Sequence, residues 1–218
     1  MWPRRSNCSR PPPRPASSAS ISPRPGGAIY GLQGAAEYSE MDLTLPVSPY
    51  AIGKLSIEHY LRYFRVKYGL ASTTFRLSNP YGTRQRAGRK QGLIPIALRQ
   101  IVLGRPVVRF GDGSMVRDYI YVDDLTRMVC SVVGETPRHD VYNIGSGIGF
   151  SVNEVFASLE RVTGGPFAIE ERAVPATFVD RVVLSTRRFQ DEFGRTALTS
   201  LDDGVRRTYE EIQEQFNG

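Results

Sequence analysis

Cysteine and histidine are scarce in this sequence, and long apolar runs are missing from it. The chain has two cysteines, Cys8 and Cys130, and two histidines, His59 and His139. These numbers exclude a disulfide framework, a four-cysteine zinc site and a histidine-rich metal site. No run approaches the roughly 18 apolar residues that a membrane-spanning helix needs. We therefore expect a reduced, soluble, cytoplasmic protein with no metal and no membrane partner. Because Cys130 lies in an apolar stretch, we expect its thiol to be buried.

Acidic residues are absent from the start of the chain, and this absence explains the positive net charge. The first acid is Glu37, and removing the arginines before it from the net charge of +6 leaves +1 for the rest; these are Arg4, Arg5, Arg10, Arg14 and Arg24. A nearly neutral body offers no electrostatic footprint for a phosphate backbone. We therefore expect no nucleic-acid partner.

Residues 1–25 are rich in proline, serine and arginine and show almost no apolar periodicity. Such a stretch buries too little surface to offset its chain entropy, so we expect it to be disordered. A transit peptide is one alternative, although the prolines would break the amphipathic helix of such a peptide. A wrongly assigned start of the chain, or a scrambled upstream sequence, is the favoured explanation of this stretch.

From Pro49 onward the apolar pattern predicts alternating helices and strands. Helices are expected from Pro49 to Gly69, over 93–103, from an Asp123 N-cap to Val133, and over 151–162 and 201–216. Strands are expected over 71–78, 107–110, 119–122 and 141–144, with a turn at 79–82. Alternation of this kind predicts an α/β fold with a mainly parallel sheet.

Tyr50 and Lys54 are four residues apart at the start of the first predicted helix. Both side chains then point the same way, about 6 Å apart along the axis. A nearby ammonium favours the phenolate and lowers the pKa of the tyrosine, which makes it a usable general acid and base. Tyr-x-x-x-Lys alone is a weak signal, because a surface pair with this spacing is common.

Three ordered strings add specificity to that pair. The first is Ser48–Lys54 preceded by Gly27–Gly31, the second is Arg76–Gly82, and the third is Gly111–Asp124, with Asn143–Gly147 after it. Together they resemble the extended short-chain dehydrogenases of the NAD-dependent epimerase/dehydratase family, over about residues 26–218. The resemblance implies a Rossmann-like parallel sheet, incomplete here, with a smaller C-terminal α/β substrate-binding domain. It divides the chain into 26–82 and 83–218.

The resemblance implies a UDP-sugar 4-epimerase-like reaction with NAD as cofactor. Tyr50 and Lys54 would be the catalytic pair and would also contact NAD, with Ser78 near the nicotinamide. The nucleotide-sugar substrate, UDP-linked, would be held by Asn79, Leu93, Val108, Arg109, Phe110, Arg117 and Asp180. A planar guanidinium suits a diphosphate because it bonds two oxygens at once. Two alternatives stay open, an ion pair of Arg117 with Asp118 or Asp124, and an ordinary turn role for Asn79.

The sequence also departs from the family pattern. The family opens with a strand and a G-x-x-G-x-x-G loop that meets the pyrophosphate, and neither occurs here, so we expect a chain that lacks the N-terminal part of the NAD-binding domain. A weak alternative fingerprint is Gly145-x-Gly147-x-Gly149, although Phe150 occupies its third glycine position. The family's serine or threonine before Tyr30 is replaced by Gly26, Gly27 and Ala28. The Asp-Glu pair of a dehydratase is missing there too, which favours an epimerase.

Three hypotheses follow from these features. The first is an epimerase in which this segment alone has little activity, because half of the cofactor site is missing. The second is a non-catalytic module that binds a nucleotide sugar or a partner protein. The third is a gene remnant whose incomplete sheet exposes an edge. A homodimer through the helix after Tyr50, common in the family, is allowed by the apolar stripe of that helix.

Overall fold

The computed structural model describes residues 26–31, 33–83, 92–175 and 179–217. After a 3-10 turn at Gly26–Ile29, its helices are α1 (Pro49–Tyr68), α2 (Leu93–Val102), α3 (Val122–Cys130), α4 (Val152–Thr163), α5 (Arg187–Phe193) and α6 (Leu201–Asn217). Its strands are β1 (Thr74–Leu77), β2 (Asn79–Tyr81), β3 (Val107–Phe110), β4 (Val116–Tyr121), β5 (Val141–Ile144), β6 (Gly149–Ser151), β7 (Ile169–Arg172) and β8 (Arg181–Val182). The predicted disorder of 1–25 lies outside the described residues.

Most of the strands pair in parallel. β1 pairs with β5 and β3 with β7, and β4 pairs with both β2 and β8 in the same sense. Only β6 is antiparallel to its neighbour β4 within the described part of the chain. Parallel pairing requires long crossovers, which the intervening helices supply. The predicted α/β fold with a mainly parallel sheet is confirmed.

The ends of the long helices follow their local sequence. In α1, Ser48 caps the first turn by accepting a hydrogen bond from the amide of Ala51, and Pro49 occupies the first helical position. The helix ends at Gly69, whose φ of 69° is left-handed and favours glycine. In α4, Ser151 and Glu154 form a capping box. These boundaries confirm the predicted helices.

The two faces of the β1–β5 pair differ in character. Phe75 and Leu77 of β1 pack with Tyr142 and Ile144 of β5 in one buried apolar cluster. The alternate positions face the other way because successive side chains of a strand point to opposite faces. Those positions include Arg76 of β1, which is buried although it is charged. The face opposite the apolar cluster is therefore polar.

The remaining core forms two further clusters. The larger one joins β2, β4, α2, α4 and α6 through side chains such as Ile94, Leu98, Tyr119, Phe156 and Leu159. The smaller one joins the 3-10 turn, the start of α1 and the segment after β8 through Ile29, Tyr30, Tyr38, Ala51 and Leu184. The division of the chain at residue 82 stays a prediction.

Several local predictions were wrong. The expected turn at 79–82 is instead β2, because Asn79 and its neighbours pair with the buried strand β4. Proline is tolerated in β2 because that strand lies at the end of its sheet. Asp123 is not the N-cap of α3, which begins at Val122 and ends at Cys130 rather than Val133. Cys130 is exposed, since it falls on the outer side of the last turn of α3.

Candidate functional site

Tyr50 and Lys54 occupy the first and second turns of α1. Tyr50 is 37% exposed, so a ligand can reach its ring, and Lys54 is half-buried. Between them Ala51 is fully buried and packs into the smaller cluster with Tyr30 and Tyr38. The buried Ala51 thus anchors the first turn of α1 in the core, while the side chain of Tyr50 remains accessible to solvent.

The Tyr30-Gly31 turn supports the start of α1. The rings of Tyr30 and Tyr38 stack with their centroids 4.9 Å apart. Gly31 has a φ of 69°, and a Cβ at this position would lie 1.9 Å from the carbonyl oxygen of Leu45. Only glycine therefore allows the segment that leads into α1 to cross this turn so closely.

Ser78 and Gly145 follow β1 and β5, at the carboxyl ends of these two parallel strands. The carboxyl ends of parallel strands are where ligands bind in open α/β sheets. The Ser78 amide donates to the carbonyl oxygen of Ile144 at 2.8 Å, which keeps the two strand ends together. The hydroxyl of Ser78 is buried and makes no hydrogen bond within the described structure. A buried polar atom of this kind fits a ligand that supplies the partner.

The glycine-rich loop after β5 binds a carboxylate of the protein itself. Asp118 is fully buried, and its Oδ1 accepts hydrogen bonds from the amide and the hydroxyl of Ser146 at 2.9 and 2.7 Å. Its Oδ2 accepts from the amides of Gly147 at 3.2 Å and Leu184 at 3.4 Å. Burial raises the pKa of Asp118, and these hydrogen bonds oppose that shift. The loop is therefore occupied internally and does not form the alternative dinucleotide fingerprint.

Arg117 lies beside Asp118 in β4 but makes different contacts. Its Nη1 donates to the backbone carbonyl oxygens of Val116 at 2.8 Å and Asp180 at 3.3 Å. Burial lowers the pKa of Arg117, and no carboxylate lies within ion-pair distance of it among the described residues. The alternative of an ion pair with Asp118 or Asp124 was therefore wrong. The charge of the exposed Asp180 raises the pKa of Arg117 in part, but its carboxylate lies beyond ion-pair distance, so this half-buried cation favours an anionic ligand.

Asn79 begins β2 next to this strand. Its Nδ2 donates to the backbone carbonyl oxygen of Asp118 at 3.0 Å, and its Cα is in register with that of Tyr119. Asn79 is therefore a strand residue, not a turn residue, and its register partner Tyr119 is one position after Asp118 and two after Arg117. The exposed Asp180 also reaches this group, because its backbone contacts Arg117.

The other predicted substrate residues lie on β3 and α2. Leu93 begins α2 and packs against the larger core cluster. Arg109 forms an ion pair with Glu171, its partner across β3 and β7, and donates to Asn153 Oδ1 at 3.3 Å. Val108 and Phe110 flank it and are half-buried. Whether these four residues contact a substrate stays a prediction.

Sequence reasoning missed an ion pair beneath α1. Arg76 of β1 bonds both carboxylate oxygens of Glu58 of α1 and also the hydroxyl of Tyr30. A signal for it was present, because an arginine inside a short apolar strand needs a partner when it is buried. The sequence alone could not say that this partner is 18 positions earlier.

A cavity of about 520 Å³ lies elsewhere, between β4, α4 and the start of α6. None of the predicted site residues lines it in the described structure, and its charged side chains Arg161 and Asp202 pair with each other at 2.8 Å. No cluster of potential metal ligands and no helix long and apolar enough to cross a membrane is found among the described residues. That Tyr50, Ser78 and Arg117 form one functional site stays a prediction.

The chain is similar to known proteins over more than half of its length. The model of the NAD dependent epimerase/dehydratase family matches residues 16–145. The dTDP-4-dehydro-6-deoxyglucose reductase of Escherichia coli is 33% identical over 86% of this chain and 59% of its own length. The UDP-glucose 4-epimerase of Mycolicibacterium smegmatis is 31% identical over 85% of this chain and 59% of its own length. The chain thus spans about 59% of the length of these relatives.

A solved structure supports the same relation. The UDP-glucose 4-epimerase of Thermotoga maritima, crystallised with UDP-glucose, superposes with a TM-score of 0.80 and 34% identity. The match covers 88% of this chain and 62% of that one. The family model matches more than half of the residues of this chain, and the three strings found in the sequence agree with it. The chain therefore belongs to the NAD dependent epimerase/dehydratase family.

Proposed function

We propose that the protein acts on a nucleotide sugar, UDP-linked, and epimerises it at C4 with NAD as cofactor. The observation that carries the substrate class is Arg117, a half-buried cation whose contacts are backbone carbonyls rather than a carboxylate. A diphosphate supplies the missing counter-charge and accepts two hydrogen bonds from one guanidinium. Asn79 is in register with Tyr119, two positions after Arg117 on β4, and in this proposal it also contacts the sugar diphosphate.

The cofactor part of the proposal rests on the strand ends. The buried hydroxyl of Ser78 is without a partner in the described structure. This fits a nicotinamide carboxamide, which has both a donor and an acceptor. Lys54 and Ser78 would hold NAD, which when bound would supply a reversible hydride acceptor for C4 of the sugar.

The protein residues move the proton and hold the reactants. The phenolate of Tyr50 takes the proton of the 4-hydroxyl as the C4–H bond breaks, and Tyr50 gives the proton back when the carbonyl is reduced. Lys54, one turn later, favours the phenolate by its charge and holds a ribose hydroxyl of the cofactor. The exposure of Tyr50 leaves room for a sugar at its ring.

The test measures conversion of UDP-glucose to UDP-galactose by chromatography, with NAD added. Tyr50→Phe removes the acid and base, so we expect turnover to fall by about 100-fold or more. Tyr60→Phe is the matched control, because it removes a hydroxyl from an exposed tyrosine of the same helix. Equal turnover in the Tyr50 variant and the control would reject the assignment of Tyr50.

Two other functions give different results in the same experiment. A reductase is suggested by the 33% identity to a dTDP-sugar reductase, and it would consume reduced cofactor in proportion to product. A non-catalytic binding module would show no conversion, although UDP would raise the melting temperature in an Arg117-dependent way. If UDP shifts the melting temperature of wild type and of Arg117→Ala equally, Arg117 does not bind the diphosphate.

We also propose a homodimer through α1. Seven apolar or aromatic side chains of α1 are exposed, whereas the exposed face of an ordinary surface helix is polar. These side chains are Ile52, Ile57, Tyr60, Tyr63, Phe64, Val66 and Tyr68. The predicted stripe of α1 therefore does not face the core of the chain. A second copy that presents the same helix would cover it in a symmetric contact.

A further inference from the structure

Helix α1 carries the proposed catalytic pair, yet apolar packing holds it weakly. Ala51 is the one buried residue of its 20 described positions. Among its other apolar side chains only Leu55 and Leu61 are half-buried in the described structure, and such contacts fix the rotation and axial position of a helix only loosely. Something else has to hold Tyr50 and Lys54 at the end of β1 within the tolerance that catalysis needs.

The ion pair between Arg76 and Glu58 is the specific restraint on this helix. The Nε of Arg76 donates to Oε1 of Glu58 at 3.1 Å, and Nη2 donates to Oε2 at 2.8 Å. Two parallel bonds between planar groups fix orientation as well as distance. The side chains are only 8% and 14% exposed, so solvent screens the pair little.

Tyr30 fixes the arginine from its other side. Nη1 of Arg76 donates to the hydroxyl of Tyr30 at 2.9 Å, and that hydroxyl donates to Oδ1 of Asn143 at 2.8 Å. Burial lowers the pKa of Arg76, but its bonds to Glu58 and Tyr30 outweigh this effect and raise the pKa overall. The arginine therefore remains a cation. The four segments joined here are the Tyr30 turn, α1, β1 and β5.

We name the group Arg76, Glu58 and Tyr30 the clamp. Its Glu58 lies on the same helix as the proposed catalytic residues. Tyr50, Lys54 and Glu58 follow one another at intervals of four residues, so they share one side of α1. Arg76 precedes Ser78 by two residues, so the two side chains share one face of β1. A shift of Glu58 relative to Arg76 therefore shifts Tyr50 and Lys54 relative to Ser78.

We propose that this clamp is a positioning device that sets Tyr50 and Lys54 over the end of β1. The inference rests on the proposed function for its effect on catalysis, while its effect on the helix can be measured separately. A clamp that only stabilised the fold would change the amount of folded protein. It would leave the chemistry of each folded molecule unchanged.

The experiment removes both charges together, because removing one would leave the other buried without a partner. The variant is Glu58→Met with Arg76→Met, which keeps volume and packing. The matched control is Glu170→Gln with Arg172→Gln, a pair 2.8 Å apart with both side chains about half exposed. Thermal melting first establishes that both variants are folded at the assay temperature. If the double Met variant is not folded, Arg76→Lys takes its place, because one ammonium cannot bond both oxygens in parallel.

Three readouts decide the outcome. We expect kcat of the clamp variant to fall about 100-fold with little change in KM, since a small misplacement has an effect of this size. We expect the acid limb of its kcat–pH profile to stay in place, because Tyr50 and Lys54 lie on one helix and keep their separation when that helix moves. Hydrogen exchange of the α1 amides should accelerate relative to those of β1. The control should match wild type throughout.

Each failure has a distinct signature. An active wild type and an equally active, folded clamp variant would overturn the positioning role. A lower kcat with unchanged α1 exchange would also overturn it, because the helix would then be held equally well without the clamp. If wild type converts no nucleotide sugar, the proposed function fails, and exchange of the α1 amides alone then confirms or rejects the clamp.

Discussion

Replacing Gly145 with alanine tests the packing at the strand ends most directly. A Cβ at this position would lie 2.4 Å from Oδ2 of Asp118 and 2.9 Å from both Cβ and Oγ of Ser78. Ordinary contact begins near 3.4 Å, so the carboxylate would have to retreat by about 1 Å. Its Oδ2 already accepts from Gly147 at 3.2 Å and Leu184 at 3.4 Å, and such a retreat would break both bonds.

Overpacking and the loss of bonds to a buried carboxylate act in the same direction here. We expect Gly145→Ala to lower the free energy of unfolding by about 2–4 kcal/mol. Urea denaturation measures this as a lower midpoint at an unchanged slope. Gly165→Ala is the control, because no atom lies within 4 Å of its Cβ position, and it should stay within about 0.5 kcal/mol of wild type. A Gly145 variant as stable as that control would refute the close contact with Asp118.

Two predictions concern other parts of the chain. Burial raises the pKa of Glu192, but hydrogen bonds from Tyr142 and the Arg138 amide outweigh this and the pKa is lowered. A carboxyl group whose pKa is lower in the folded than in the unfolded state stabilises the fold at pH values above its unfolded pKa, and this stabilisation is lost as pH falls through its folded pKa. Glu192→Gln should therefore reduce the loss of unfolding free energy at acid pH, as measured by urea titrations. For the proposed dimer, sedimentation should give a dimer that Phe64→Glu dissociates, since Phe64 is 41% exposed on α1; a monomeric wild type would reject it.

The long elements of this fold could be predicted because their signals are local. The helix that ends at Gly69 and the helix that begins after Ser151 carry their caps in the adjacent residues. The short strands β6, β7 and β8 have only two to four residues each and were not predicted. β6 and β8, with three and two residues, are too short to show an apolar pattern, and three of the four residues of β7 are charged. Likewise, Asn79–Tyr81 has turn composition but pairs with β4.

The site shows the same division between local and distant information. The interval from Tyr50 to Lys54 can be read directly, since both residues lie on one helix. The Arg76–Glu58 pair could not, because it joins a strand to a helix across the Tyr30 turn. An arginine in an apolar strand indicates that a partner exists, and only the fold says which one it is.

The neighbouring residues Arg117 and Asp118 show why one short string can serve both binding and folding. Side chains alternate along β4, so the two charges point to opposite faces and do not neutralise each other. The side chain of Asp118 points to the loop after β5 and accepts hydrogen bonds from amides of that loop, whose glycine pattern resembles a phosphate-binding loop. The guanidinium of Arg117 donates hydrogen bonds to backbone carbonyl oxygens and forms no ion pair within the described structure, so in the proposed function its charge is available to a ligand. In the proposed function, the glycines of that loop therefore order the strand edge, and recognition of the diphosphate falls to the arginine one position away.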